Sequence, residues 1–204
     1  MSKTKIMCGM NKIQEKGFTL IELLIVIAIL AILATVVLIV INPVQMFAQA
    51  RDSQRISDLG ALSNATALYL TTVPDPDLDG TGGFACGTHF GATIAGAVEN
   101  FDTAALSLYG AFEQTVNGLG WVPVNYNDIS GGSPLSSLPV DPTNTSASGY
   151  YYTYACDNTN KWFEFNAALE SLRYANGGTD DVESNDGGAN DNMYEVGNDP
   201  GLDL

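Results

Sequence analysis

Glu22 is the one charge in an otherwise apolar run from Phe18 to Ile41. A carboxylate in a bilayer core costs roughly 2.5–3.5 kcal/mol on insertion scales, so an acid there calls for a functional explanation. The alternative is a helix-end acid that reaches the headgroups. Gly17 and Phe18 bracket the boundary between a basic stretch and the run. Glycine leaves the backbone unobstructed, as a peptidase at a membrane face requires; the alternative is an incidental helix-entry residue. Asp75-Pro76-Asp77-Leu78-Asp79-Gly80 has the D-x-D-x-D-G spacing of calcium loops, in which alternating carboxylates converge and Gly makes the turn. Cys86 stands where an EF-hand needs its last Glu, so a standard EF-hand is excluded, and an acidic solvated loop is the competing reading. His89 is the sole histidine. No G-x-S-x-G, H-E-x-x-H, Walker A or C-x-x-C pattern accompanies it, so no catalytic residue is assigned and His89 reads as a loop residue.

The Phe18–Ile41 run holds 24 residues, of which only Thr19, Glu22 and Thr35 are polar. As a helix it extends about 36 Å, enough for a hydrocarbon core of about 30 Å. Four of the eight basic residues (Lys3, Lys5, Lys12, Lys16) precede it, with one acid, Glu15. Lysines beside an apolar span place that end in the cytoplasm and the rest of the chain across the membrane. An ordinary signal peptide has a shorter apolar region. Ala48-Gln49-Ala50 would serve as its cleavage site, and a plain unprocessed anchor is the other alternative. Neither accounts for the position of Glu22.

Gly17-Phe18-Thr19-Leu20-Ile21-Glu22, behind a short basic leader and ahead of a long apolar helix, resembles the type IV pilin family, which includes the type II secretion pseudopilins. The resemblance covers the first third of the chain closely. It implies a leader, residues 1–17, cut after Gly17 by a prepilin peptidase that also methylates the new Phe18 amine. It implies that the Glu22 carboxylate meets the Phe18 amine of a neighbouring subunit during assembly. It further implies a homopolymeric helical filament built at an inner-membrane assembly platform. The chain would be a single-pass membrane protein before assembly and lie at the cell surface afterwards. Cleavage would leave four basic residues against 22 acids, formally −18. So acidic an exported part argues against nucleic-acid binding. Cys8 would leave with the leader. Cys86 and Cys156 would remain, an even number that an oxidising compartment pairs, two free thiols being the alternative.

The elements that must position these residues follow from periodicity. Residues 18–42 form the apolar half-helix, broken near Ile39–Pro43 because proline cannot donate. Residues 43–73 form an amphipathic half-helix with Ile56, Leu59, Leu62, Thr66 and Tyr69 on one face. Arg51, Asp52, Arg55 and Asp58 fall on its more polar sides, as a solvated surface or a subunit contact. The helix ends near Thr72, before Pro74 and Pro76. Residues 74–204 form the globular head. Within it 74–93 and 118–148 read as loops, 97–117 as a short helix (Val98, Phe101, Ala105, Leu108, Phe112), and Trp121–Tyr126 as short strands. Tyr150–Cys156, the turn residues Asp157–Asn160, and the alternating Lys161–Leu169 read as a β-hairpin. One hairpin face packs on the second half of the helix. Residues 176–204 hold eight acids and no Lys or Arg, so part is expected to be mobile or ion-dependent.

The expected fold class is α+β: a long N-terminal helix on a small antiparallel sheet. Major pseudopilins bind calcium in a C-terminal loop, and Leu138-Pro139-Val140-Asp141-Pro142 resembles the segment ahead of it. That makes Asp180, Asp181, Glu183, Asp186 and Asp191 a second calcium candidate; otherwise no cofactor is expected. A pilus subunit is the favoured function. A type II secretion pseudopilin is the alternative, favoured by a firm calcium site near 180–191. An envelope-anchored binding protein or hydrolase is the third, favoured by retention of Met1–Gly17.

Overall fold

The computed structural model describes residues 17–98 and 106–204. The chain divides into two compact units, Met1–Pro43 and Val44–Leu204. In the first, α1 spans Leu20–Ile41. The Thr19 hydroxyl starts it by accepting the Glu22 backbone N–H at 3.2 Å, as an N-cap residue does. The helix is long and apolar enough to cross a membrane, and its apolar side chains, among those described, are solvent-exposed within the unit. A helix apolar on every side needs lipid or other helices around it. It ends where Asn42 turns left-handed (φ 43°) and donates its N–H to the Leu38 carbonyl. Asparagine tolerates that conformation, and Pro43 has no N–H with which to continue the ladder.

The second unit is built on α2, Pro43–Thr72, which stops just before Pro74. Its buried residues include Ala48, Asp52, Arg55, Leu59, Leu62, Thr66 and Tyr69, a stripe at alternating steps of three and four. Against it lies a five-stranded sheet in the order β2-β1-β3-β4-β5. The strands are β1 (His89–Ala92), β2 (Ser107–Leu108), β3 (Tyr152–Asp157), β4 (Trp162–Ala167) and β5 (Tyr194–Gly197). All neighbours pair antiparallel except β1 and β2. The expected hairpin is β3–β4, with Tyr154 opposite Phe165 and Cys156 opposite Phe163. Its turn is capped by Asp157, which accepts the N–H groups of Thr159 and Asn160.

The main core lies between α2 and one sheet face: Leu59, Leu62 and Tyr69 meet Trp121, Tyr152, Tyr154, Phe163 and Phe165. A smaller core includes Phe90, Ala92, Ala97, Tyr151 and Ala155, with Leu204 against it. The α+β expectation holds, with the antiparallel part larger than the hairpin alone.

Several local expectations are corrected. Residues 106–117 are not helical: Ser107–Leu108 pairs with β1, and the chain beyond runs irregularly, while Phe101 and Ala105 lie outside the described residues. Strand pairing at the sheet edge overrides a helical spacing that Gly110 weakens. Trp121–Tyr126 is buried but forms no strand, because Pro123 withholds a ladder donor. Instead Trp121 N–H bonds Glu113 O, Tyr126 N–H bonds Val116 O, and a 3-10 turn covers Tyr126–Asp128. The 74–93 stretch is not all loop: His89 to Ala92 is β1. Gly91 is required there, because a side chain would collide with the carbonyl of Trp121. Residues 176–204 contribute β5 and a series of Asp- and Glu-capped turns.

Candidate functional site

The first site is the start of α1. Gly17 and Phe18 are exposed, Phe18 at 84%. Thr19 and Glu22 stand in the T-x-x-E relation of a capping box, with the threonine half of the exchange formed. Sequence reasoning passed over Thr19, although the T-x-x-E pattern before an apolar run was available. The arrangement places Glu22 in the first helical turn, where the free N–H groups favour negative charge.

The second site is the buried ion cluster of the second unit, and it corrects the surface reading of two helix charges. Asp52 and Arg55 are both wholly buried. They occupy two positions of the stripe that continues with Leu59 and Leu62, so the signal was present in the spacing. Arg55 grips Asp141 with two bonds, Nε to Oδ2 at 2.5 Å and Nη2 to Oδ1 at 3.0 Å. Its Nη1 donates to Asp52 and to Glu170, each at 2.7 Å. Thr143 accepts a further bond at 3.2 Å, and the Tyr150 ring lies 4.7 Å from the guanidinium carbon. Arg51 makes a second two-bond grip on Glu170.

The carboxylates are held from the backbone as well. Asp52 accepts the N–H groups of Glu170 and Ser171, and Asp141 accepts those of Thr143 and Asn144. Burial alone would lower the Arg55 pKa, but the bonds to Asp141, Glu170 and Asp52 outweigh it and raise it further. Glu170 is lowered, first by its bond to Arg51. The cluster is a clamp joining α2 to the segments around 141 and 170. It contains no nucleophile and no proton-transfer pair.

The acidic candidates are dispersed. Asn158 sits between Asp77 and Asp79, donating to both at 3.0 and 2.8 Å and accepting the Leu78 N–H. The bond to Asp79 lowers the pKa of Asp77, while burial raises that of Asp79. Asp75 adopts φ 60°. Asp180 pairs with Arg173 at 2.6 Å. Asp181 accepts the N–H groups of Gly177 and Ser184, Glu183 those of Leu169 and Asn176, and Asp186 those of Gly188 and Glu195. Asp191 is exposed. Among the described residues, no three Asp, Glu, His or Cys gather as a metal-ligand group. His89, a β1 residue, shares a hydrogen bond with Thr88.

Cys86 and Cys156 form a disulfide with Cα atoms 4.9 Å apart at a sequence separation of 70. It ties the loop after α2 to β3. Closing so long a loop stabilises the fold by about 4 kcal/mol in the chain-entropy account. Peptide mapping after thiol labelling of denatured, unreduced protein is expected to find both residues unlabelled. Cys86→Ala/Cys156→Ala is expected to lower the unfolding free energy by a comparable amount. Two labelled residues would refute the bridge.

Residues 13–38 match the family model described as the prokaryotic N-terminal methylation motif. That motif is the hallmark of the type IV pilins and pseudopilins, and this chain carries it. No curated protein and no solved structure gives a match. The motif supports a type IV pilin-like or pseudopilin role in general. The motif together with α1 fits a membrane-anchored precursor.

Proposed function

We propose that this chain is the structural subunit of a type IV pilus. The observation that carries the reading is α1 itself: a rod apolar on all sides, begun by a Thr19 cap and bearing a single acid in its first turn, directly behind Gly17-Phe18. Before assembly the rod sits in the membrane. In the filament it lies among the same rods of other subunits. Apolar surface is buried in both settings, so transfer between them need not be strongly uphill. A prepilin peptidase removes residues 1–17 and methylates Phe18. The inner-membrane platform then feeds subunits into a homopolymer that reaches the cell surface, driven by an ATPase elsewhere.

Mass spectrometry of the N-terminal peptide is expected to find a chain beginning at N-methylated Phe18. A mature chain starting at Met1 or Arg51 would overturn the reading. Imaging of purified surface filaments, with sequencing of their major subunit, separates the pilus from the secretion pseudopilin: the pilus reading requires that subunit to be this chain.

A further inference from the structure

Glu164 and Glu195 belong to neighbouring strands, β4 and β5, where Asn166 stands opposite Glu195 and Glu164 opposite Gly197. Both side chains are removed from solvent, at 0% and 3% exposure. Among the described residues no salt bridge reaches either of them. Glu164 Oε2 accepts the Leu204 N–H at 3.0 Å, and Glu195 Oε2 accepts the Asn190 N–H at 2.9 Å. Glu195 Oε1 faces the Asn166 amide at 3.5 Å. Glu164 Oε1 is buried with no N–H donor. The register instead places the two carboxyls on the same face of adjacent strands, one diagonal step apart. Two ionised carboxylates so placed, buried and without a cation, can only accept and repel, and a proton on one of them relieves both costs.

We propose that Glu164 and Glu195 share a proton in the folded head and act as a pH-sensitive latch. With the proton in place, the latch holds Leu204 and the 186–195 segment that leads into β5 against β4 at the edge of the sheet. Without it, two adjacent buried anions force that segment off.

Nearby carboxylates add to burial, while the bonds from Asn166 and Leu204 to Glu164 and from Asn190 to Glu195 oppose it without outweighing it. Asp199 raises Glu164, Asp186 raises Glu195, and Asp157 and Asp203 act on Asp199. Burial is the largest cause for both glutamates, pushing Glu164 up to about 7 and Glu195 up to about 8. A carboxyl raised on folding lends stability that is complete below its unfolded value. That stability is lost as pH rises through the folded value. The window of loss therefore runs from the ordinary glutamate range, about 4.3, up to about 8. Gly188 belongs to the same device, because any side chain there would run into the Glu195 carboxylate.

The test is thermal unfolding of the full chain in detergent micelles at fixed ionic strength, from about pH 5 to about pH 9. Wild type is expected to melt progressively lower across that range. Glu164→Gln and Glu195→Gln, nearly isosteric and unable to form an anion pair, are expected to flatten the fall. Amide exchange at Leu204 and Asn190, corrected for intrinsic rates, is expected to accelerate in wild type at the alkaline end. A flat wild-type profile, or an equal fall in both variants, overturns the proposal. So does a fall abolished by calcium but not by matched magnesium, which would make the pair a cation site. Should the variants fail to fold, carboxyl-carbon NMR of wild type decides. Titration near 7 and 8 supports the latch, and midpoints at the ordinary glutamate value overturn it.

Discussion

Glu22→Ala is expected to leave membrane insertion intact and to cut filament yield by at least about tenfold. Removing the acid makes α1 more apolar, so insertion improves if anything. Assembly is different. In the proposed pilus, a subunit entering the filament would bring a positively charged Phe18 amine into an apolar interior. Leaving one charge of a buried pair without its partner costs about 3–5 kcal/mol. Each 1.4 kcal/mol is a factor of about ten in an equilibrium. Glu22→Gln separates charge from shape, since the amide retains the size and lacks the anion. Yield is measured by shearing and quantifying filaments, and insertion by carbonate extraction of membranes. Normal yield from either variant would count against the pairing role and leave Glu22 with only its place in the helix-start box.

Arg55→Met is expected to destabilise the head by about 3–5 kcal/mol, the range for removing one member of a buried charge pair. The guanidinium is the common partner of Asp52, Asp141 and Glu170. Without it Asp52 and Asp141 remain buried with backbone donors alone, while Glu170 keeps Arg51. Domains of this kind are stable by about 5–15 kcal/mol in total, so the loss is a large fraction. Arg55→Lys keeps the charge and forfeits the two-bond grip on Asp141. It should fall between wild type and Arg55→Met. Denaturant unfolding of the full chain in detergent, followed by tryptophan fluorescence, provides the measurement. A loss below about 1 kcal/mol, the range of exposed pairs, would mean that water readily reaches the carboxylates.

The parts of this molecule that were legible in its sequence are those whose reason is local. α1 is announced by 24 consecutive residues of nearly uniform polarity, its end by Asn42-Pro43, and the hairpin by alternation on both sides of Asp157-Asn158-Thr159-Asn160. The strands that were missed, β1, β2 and β5, are four, two and four residues long. Segments so short have no periodicity of their own and become strands only because a neighbour offers an edge: β3 to β1, β4 to β5, and β1 in turn to β2. The clamp was hidden for a related reason. Asp141 lies 86 residues and Glu170 115 residues from Arg55, and nothing near Arg55 marks those partners. Charge favoured the surface reading, whereas the step from Asp52 to Arg55 to Leu59 to Leu62 favoured the core. Burial followed the spacing.

Beyond residue 17 the chain has four cations, Arg51, Arg55, Lys161 and Arg173. Three are engaged in the ion pairs already described, and Lys161 donates to Asn158 at 2.7 Å. Two heads brought side by side thus present acids to each other, with no cation uncommitted to its own fold. Any cohesion along a polymer of such subunits must come from apolar contact and from the α1 rods, working against mutual repulsion between heads. That repulsion reaches about 8 Å at physiological ionic strength and about 30 Å in dilute buffer. In the proposed polymer, salt concentration would therefore set how closely neighbouring heads, and neighbouring filaments, settle against one another.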